Sequence, residues 1–247
     1  MRYLLLTDIH ANRHALEAVL EAAPPSSYDR LVVLGDLVGY GADPNGVIER
    51  VRALDPLAVI RGNHDKAACG IDSAEDFNTV ARIAAVWTMR ALTPENREYL
   101  AHLPAGPLRI HDGFAICHGS PFDEDAYLFD GADATEAFEA LPSPVCFYGH
   151  THLPVIFARS PQGLTAAVPN GSAEMAVTLA PGAQYLINPG SVGQPRDGDP
   201  RAGFAVYDAE TREVILRRVA YPIAPAQEAI LAAGLPGGLA ARLGLGR

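Results

Sequence analysis

Five short apolar runs in this sequence are each followed at once by a polar cluster rich in aspartate, asparagine or histidine. Short continuous apolar runs are typical of strands that are buried on both faces. In α/β sheets, ligands bind beyond the carboxyl ends of the strands. Side chains that are distant in the sequence are therefore expected to converge at that edge. The runs with their clusters occupy residues 3–10, 31–36, 57–65, 114–120 and 145–152.

Helical patterns lie between the first three runs. Residues from about 13 to 22 place apolar side chains on one face, and Asp43-Pro44 is typical of an N-cap followed by a first-turn proline. Two more helices are predicted between about 73 and 103, the second beginning near Thr93. The alternation of strand and helix predicts parallel strands joined by right-handed crossovers.

The pattern changes after residue 152 to shorter strands separated by turn residues, which favours antiparallel pairing in a second sheet. A helical tail is predicted over about 226–247, interrupted at 234–238. Because the polar clusters span both halves, we expect one domain over residues 1–247. The later strands are predicted at 155–158, 176–179, 185–187, 204–207 and 214–219.

Composition limits the classes of function. The formal net charge of -10 disfavours binding to a nucleic-acid polymer, which normally needs a basic surface. No apolar run approaches the roughly 20 residues of a membrane helix. The three cysteines are odd in number and far apart, which argues against a disulfide framework. We therefore expect a soluble, cytoplasmic protein with no membrane partner.

The histidines are concentrated in the polar clusters. Five of the eight lie there, together with two aspartates and an asparagine. Carboxylate, amide oxygen and imidazole together form a ligand set for divalent ions such as Mn, Fe, Zn or Co. Purely oxygen ligands would instead favour Mg or Ca. The clustered residues are Asp8, His10, Asp36, Asn63, His64, His118, His150 and His152.

Seven of these residues, all but His64, form the candidate ligand set, which is too large for one ion with an open position. The set suits two ions that share a bridging carboxylate, and Asp36 is the natural bridge. Two such ions about 3.5–4 Å apart would activate a bridging hydroxide and bind phosphoryl oxygens. This reasoning predicts hydrolysis of phosphate esters, and it leaves His64 open as an additional ligand.

The ordered motifs resemble those of the calcineurin-like metallophosphoesterases. The later segment Asn188-Pro189-Gly190-Ser191 is similar to one in the small bacterial and archaeal phosphodiesterase branch. The resemblance implies an α/β fold, a four-layer α-β-β-α sandwich of two mixed β-sheets with flanking helices. The motifs are Asp8-Ile9-His10, Gly35-Asp36, Gly62-Asn63-His64-Asp65, His118-Gly119 and Gly149-His150-Thr151-His152.

The resemblance also assigns roles. It implies that His64 is not a ligand but contacts the phosphoryl group or protonates the leaving oxygen, oriented by Asp65. It implies two divalent metal ions, with manganese as the first choice and Fe, Zn, Co or Ni as alternatives. It places Asp8, His10 and His152 on one ion, Asn63, His118 and His150 on the other, and Asp36 between them.

One departure bears on the substrate. Residues 37–41 lack the acidic residue and arginine that follow the second motif in protein Ser/Thr phosphatases. The phosphate-binding arginine of those enzymes therefore has no counterpart here. Ala11 replaces a glycine found in many relatives, a small change that is expected to matter little.

Several other residues are weaker candidates. Arg196 is a candidate substrate contact, with a salt bridge in a turn as the alternative. Arg61 is expected in an ion pair rather than on the substrate. Tyr40 and Asn45 fit either the pocket wall or a turn and helix start. The acidic segment 123–133 fits either a lid or a solvated loop.

The leading hypothesis is hydrolysis of a small-molecule phosphoester, a nucleotide being one option. The alternatives are a protein phosphatase, a nuclease, and a non-catalytic scaffold that binds proteins. The retained ligand set with His64 and Asp65 disfavours the scaffold, and the acidic charge disfavours the nuclease. Monoester or diester preference and assembly into a homo-oligomer are left open.

Overall fold

The computed structural model describes residues 1–111 and 113–247. Two mixed sheets of six strands each pack against one another, and helices flank them. This arrangement confirms the predicted α/β fold with two central sheets. All five predicted strand–cluster units lie in these sheets, three in the first and two in the second.

The first sheet contains the amino-terminal strands. Its strand order is β3-β2-β1-β11-β12-β9. Strands β1, β2 and β3 are parallel, as the strand–helix alternation predicts, and β11 joins β1 in the antiparallel sense. The strands are β1 (Arg2–Leu6), β2 (Arg30–Val33), β3 (Ala58–Val59), β9 (Glu174–Thr178), β11 (Ala202–Asp208) and β12 (Glu213–Val219).

The second sheet has the order β4-β5-β6-β10-β7-β8. Strand β6 lies parallel to both β5 and β10, so the loops after β5 and β6 emerge at the same edge. The strands are β4 (Leu108–Ile110), β5 (Phe114–Ile116), β6 (Val145–Phe147), β7 (Val155–Ser160), β8 (Gly163–Ala167) and β10 (Gln184–Asn188).

The helices cover the outer faces of the sheets. Asp43 caps one of them by accepting a hydrogen bond from the Gly46 backbone N–H at 3.0 Å, as the Asp43-Pro44 pair predicts. The helices are α1 (Arg13–Ala22), α2 (Pro44–Ala53), α3 (Asn63–Cys69), α4 (Thr79–Ala91), α5 (Pro94–Ala101), α6 (Gly131–Glu139), α7 (Ile223–Ala232) and α8 (Gly237–Leu245).

Alternate side chains of strand β1 belong to different cores. Tyr3 and Leu5 pack between the two sheets, whereas Leu4 and Leu6 pack against the outer helices. Because both faces of this strand are buried, it needs a continuous apolar run rather than an alternating pattern. Packing on both faces fixes the end of strand β1, and this in turn fixes the start of the polar loop that follows it.

Some elements differ from the sequence-based expectations. The third motif opens helix α3, although its residues show no apolar periodicity. Asp65 stabilises this helix start by accepting a hydrogen bond from the Gly62 backbone N–H at 3.0 Å. Strands β4 and β8 and helix α6 were not predicted. Helix α6 includes the end of segment 123–133, so that segment is only partly a loop.

The aromatic cluster between the sheets is expected to contribute strongly to stability. The Phe114 side chain is fully buried and meets Tyr3 edge-on with ring centroids 4.8 Å apart. Phe114→Ala should lower the free energy of unfolding by about 3–5 kcal/mol, because it leaves a cavity between the sheets. Denaturant unfolding tests this, with the exposed Phe122→Ala as the control. A loss no larger than that of the control would contradict the packing described.

Among residues 1–111 and 113–247, no helix combines the length and the apolar character needed to cross a membrane.

Candidate metal centre

The predicted ligands converge at one end of the two-sheet sandwich. Hydrogen bonds link the loops that carry them: the His10 backbone N–H donates to the Asp36 carbonyl at 2.9 Å. The Gly149 N–H donates to the His118 carbonyl at 2.8 Å. The His150 N–H donates to the Asp8 carboxylate at 3.1 Å, which connects the two sheets. The loops therefore form a single framework.

The ligand atoms form two groups that share Asp36. Within each group, ligand atoms lie within 4.8 Å of one another, a spacing that can hold a metal ion. Asn63 lies beside the second group, with its side-chain oxygen 3.2 Å from His118 Nε2. The structure thus brings together all seven predicted ligands. One group is Asp8, His10, Asp36 and His152, and the other is Asp36, His118 and His150.

One oxygen of Asp36 faces both groups. Its Oδ2 atom lies 3.5 Å from His10 Nε2 and 3.4 Å from His118 Nε2. Its other oxygen accepts a hydrogen bond from the His64 backbone N–H at 2.9 Å. The carboxylate is therefore held in one orientation, with Oδ2 placed between the two groups.

Backbone carbonyls fix the orientation of three imidazole rings. The Nδ1 atom of His10 is 3.0 Å from the Val38 carbonyl, and that of His118 is 2.8 Å from the Leu34 carbonyl. The Nδ1 atom of His152 is 2.6 Å from a third carbonyl, that of Gln194. Because a carbonyl can only accept, each Nδ1 carries the proton. Nε2 is then the atom that each ring presents to the site, as in metal-binding histidines. Burial acts to lower the pKa of His118, but Asp36 outweighs it and raises that pKa to about 10, so a metal ion would replace a proton on this ring.

Two of these Nε2 atoms face each other. His10 Nε2 and His152 Nε2 are 3.1 Å apart, and both rings are buried. Two neutral acceptors at that distance repel unless a cation or proton lies beside them. His150 Nε2 is also buried and has no hydrogen-bond partner among the described residues. This donor chemistry fits bound metal ions.

The carboxylates have pKa values that move in opposite directions. Burial raises the pKa of Asp8 to about 7, and the neighbouring Asp36 adds to this rise. For Asp36 burial also acts upwards, but His118 and His64 outweigh it and hold the pKa well below its ordinary value. Burial lowers the pKa of His150 to about 3. A cation between these groups favours ionised carboxylates and neutral rings at neutral pH.

The backbone of the ligand loops is strained. Five predicted ligands have positive φ angles, in the region that ordinary residues seldom adopt: Asp8 52°, His10 50°, Asp36 53°, His150 67° and His152 61°. Each such residue costs of the order of 1–3 kcal/mol, and such strain clusters at functional sites. The loop hydrogen bonds and the buried strand ends keep these conformations in place.

Two glycines allow the loops to approach closely. A Cβ atom at Gly62 would lie 2.2 Å from Asp36 Oδ1, and one at Gly149 would lie 2.0 Å from Thr7 Oγ1. Neither contact is tolerable, so any larger residue would displace a ligand loop. These motif glycines are therefore required by the close backbone approach.

His64 lies beside the two ligand groups, but Asp65 does not orient it. Asp65 accepts hydrogen bonds from the backbone N–H groups of Val38 and Gly62 at 3.2 and 3.0 Å. Both of its oxygens are used in this way, because its position in the first turn of α3 turns it towards the loops. The imidazole of His64 is instead packed against Tyr40 and Phe77, with ring centroids 4.3 and 4.8 Å away.

The structure places two of the weaker candidates at the site and the other two away from it. Arg196 lies over the Tyr40 ring, 5.6 Å from its centroid, so both residues line the site. Arg61 forms the expected ion pair, 2.9 Å from Glu124. Asn45 is a structural residue, because its side chain bonds the Ala91 carbonyl and the start of α5.

Segment 123–133 is attached to the site wall. Lys66 contacts Asp125 at 2.5 Å, and Tyr127 stacks on His150 with ring centroids 3.9 Å apart. These contacts show that the part of the segment near the site is packed against it rather than freely solvated. Nothing in the sequence pattern singled out Tyr127 as a neighbour of a ligand.

Three supporting residues were not predicted as part of the site. The Asn188 side chain donates to the Gly149 carbonyl at 2.8 Å, and Ser191 Oγ donates to the Asp8 carbonyl at 2.8 Å. Gln194 supplies the carbonyl that holds His152. Asn188 and Ser191 belong to the motif Asn188-Pro189-Gly190-Ser191, which therefore braces the ligand loops.

The site opens into a cavity of about 390 Å³. This volume lies in the range of small-molecule pockets. Acidic and aromatic side chains form much of the wall away from the ligands. The lining comprises Asp36, Tyr40, Asn63, His64, Asp72, Asp76, Phe77, Asn78, Ala81, Asp125, Tyr127, His150, His152 and Arg196.

Comparisons with known proteins agree with this geometry. A family model described as the calcineurin-like phosphoesterase superfamily domain matches residues 1–212. The matched range includes all the predicted ligands, and it ends before β12 and the two carboxyl-terminal helices.

Individual relatives cover nearly the whole chain. The crystal structure of a metallophosphoesterase from Sphaerobacter thermophilus is 40% identical, covers 100% of this chain and 99% of its own, and has a TM-score of 0.88. An uncharacterised protein of Methanocaldococcus jannaschii is 37% identical over 98% of this chain and 97% of its own. Phosphodiesterase YfcE of Escherichia coli is 27% identical over 87% of this chain and 91% of its own.

Proposed function

Because the chain belongs to the calcineurin-like phosphoesterase superfamily and is a phosphoric ester hydrolase, we propose that it cleaves small-molecule phosphoesters at a dinuclear metal centre. The proposed ligands of one ion are Asp8, His10 and His152. Those of the other are Asn63, His118 and His150, and Asp36 bridges the two.

One observation carries this proposal. The Nε2 atoms of His10 and His152 face each other at 3.1 Å, while backbone carbonyls hold the protons of both rings on Nδ1. A protein-only explanation would leave two acceptors opposed in a buried site, which is unfavourable. A divalent cation between these atoms and the Asp8 carboxylate removes the conflict. The shared Oδ2 of Asp36 supports a second ion on its other side.

Bound metal ions would supply a water-derived nucleophile at neutral pH and neutralise charge on the phosphoryl oxygens. Hydrogen bonds within the chain fix the orientation of the carboxylates that would bind these ions. Asp36 is fixed by the His64 backbone N–H, and Asp8 accepts from the Thr7 hydroxyl at 2.9 Å. Rigid carboxylates hold the reacting atoms in one geometry, so little reorganisation is needed during the reaction.

His64 is proposed to act on the substrate. Its ring lines the cavity next to the ligands, and its Nδ1 atom is buried without a hydrogen-bond partner among the described residues. Tyr40 and Phe77 hold the ring in place. This position suits contact with a phosphoryl oxygen, or transfer of a proton to the leaving oxygen.

The surroundings of the site favour a small substrate over a macromolecule. A formal net charge of -10 and acidic residues at the cavity wall, such as Asp72 and Asp76, would repel a nucleic-acid backbone. The site lies in a cavity rather than on a broad surface. A small phosphomonoester or phosphodiester therefore fits better than a nuclease substrate.

Metal-dependent turnover tests the proposal. Protein loaded with Mn should hydrolyse p-nitrophenyl phosphate or bis-p-nitrophenyl phosphate, and EDTA should abolish the activity because it removes the ions that activate water. Release of p-nitrophenol measures both effects, and restoring Mn after EDTA is the control. Inactivity of metal-loaded protein on a broad panel of phosphoesters would instead favour a non-catalytic scaffold.

A further inference from the structure

Two arginine side chains meet at one buried carboxamide beside the site. Arg196 Nη2 and Arg242 Nη1 both donate to the side-chain oxygen of Gln194, at 3.0 and 3.3 Å. Arg196 follows strand β10 in the loop that braces the ligands, and Arg242 comes from the last turn of α8. Two guanidinium groups that share one neutral oxygen must lie close together, which is unfavourable for like charges.

Neither guanidinium has an acidic partner within ion-pair distance among residues 1–111 and 113–247. The nearby carboxylates are used elsewhere, because Asp197 pairs with Arg218 and Asp199 pairs with Arg201. The Nε atom of Arg196 is buried and has no hydrogen-bond partner in the described part of the chain. This pair of cations is therefore neither neutralised nor fully hydrogen-bonded by the protein.

The pair lies next to the phosphoester site. Arg196 lines the same cavity as Asp36 and His152. Helix α8 is attached to this region by a hydrogen bond from the Gly198 N–H to the Gly246 carbonyl at 2.9 Å. Arg242 is therefore held close to the wall of the cavity although it is distant in sequence from the metal motifs.

We infer that Arg196 and Arg242 bind a second phosphate of the substrate, so that the preferred substrates are esters with a diphosphate or longer chain. The inference rests on the proposed function, which supplies the site for the first phosphate. Guanidinium groups match phosphate oxygens in planar geometry and charge. A phosphate oxygen is also a stronger acceptor than the carboxamide oxygen of Gln194, which the two arginines now share.

The alternative is that Arg242 serves only to attach α8 to the loop. The two explanations differ for Gln194→Glu, which would place a resident carboxylate between the arginines. If their role is attachment, this variant should behave like the wild type in ligand binding. If their role is to bind a second phosphate, the added carboxylate should compete with that phosphate and weaken its binding selectively.

Calorimetry with two ligands that resist hydrolysis tests the inference. Methylphosphonate carries one phosphonate group and methylenediphosphonate carries two, and both are titrated into Mn-loaded protein in excess Mn. The wild type should prefer the diphosphonate. Arg242→Gln should reduce that preference about 10-fold, the size expected for losing a hydrogen bond to a charged group. Gln194→Glu should reduce it at least as much.

Arg247→Gln is the matched control, since it removes the same charge from an exposed position near the end of α8. It should leave the preference within about twofold, because the charge of an exposed side chain is screened by water and salt. Thermal melting of each variant reports whether the fold is retained. An unchanged preference in Arg242→Gln, or an equal loss in Arg247→Gln, would overturn the inference. Failure of the Mn-loaded wild type to hydrolyse any member of a broad panel of phosphoesters would instead overturn the proposed function.

Discussion

Asp36→Asn is expected to lose metal and activity together. The Asp36 carboxylate faces both ligand groups through a single oxygen, and its negative charge stabilises both proposed ions. The neutral carboxamide would weaken both sites at once. Replacing partners outside the ligand shell costs 10–100-fold in metal affinity or activity, so loss of a bridging ligand should cost at least about 100-fold. Elemental analysis and p-nitrophenol release measure the two effects on the same sample.

The control for Asp36→Asn is Asp76→Asn, which removes the same charge from an exposed residue of the cavity wall. Its metal content should stay at the wild-type level, because Asp76 belongs to neither ligand group. An Asp36→Asn protein that keeps two ions per chain and full turnover would show that this carboxylate does not bridge.

His64→Ala is expected to have the second largest effect, with a different signature. The variant should keep its metal, because His64 lies outside both ligand groups and contributes its backbone N–H to Asp36. Turnover should fall by about 10²–10⁴-fold, the usual contribution of a general acid or base. Metal content and turnover are measured as for Asp36→Asn.

His14→Ala is the control for His64→Ala, because His14 is an exposed residue of α1 outside the site. It should leave turnover unchanged. Loss of a metal ion from His64→Ala would contradict the separation between ligands and the phosphoryl-contacting histidine. It would support the simpler interpretation, open from the sequence, that His64 is itself a ligand.

The sequence was sufficient to locate the candidate site because strand ends determine where it lies. Asp8 and Asp36 follow runs that are apolar on both faces, so each had to emerge at a sheet edge. The motifs at His118 and His150 follow parallel strands of the other sheet.

The parts that were missed depend on tertiary contacts without a local pattern. The role of Asp65 could not be read from its position beside His64, because consecutive helical residues point in different directions. Gln194 acts through a backbone carbonyl, which any residue could supply. Arg242 reaches Gln194 only because α8 folds back onto the loop after β10.

The sequence also does not predict the left-handed backbone conformation of the ligand loops. Such conformations are most accessible to glycine, and among other residues asparagine, aspartate and histidine adopt them most often. Asp8 and His150 therefore combine ligand chemistry with a tolerance for this backbone conformation. The buried strands before these residues and the hydrogen bonds between the loops supply the stability that offsets the strain.

Anomalous diffraction from crystals grown with Mn would test the central claim most directly. The expected result is two manganese peaks about 3.5–4 Å apart on either side of the Asp36 carboxylate. Asp8, His10 and His152 should surround one peak, and Asn63, His118 and His150 the other. A single ion, or a pair of ions that Asp36 does not contact, would contradict the dinuclear centre.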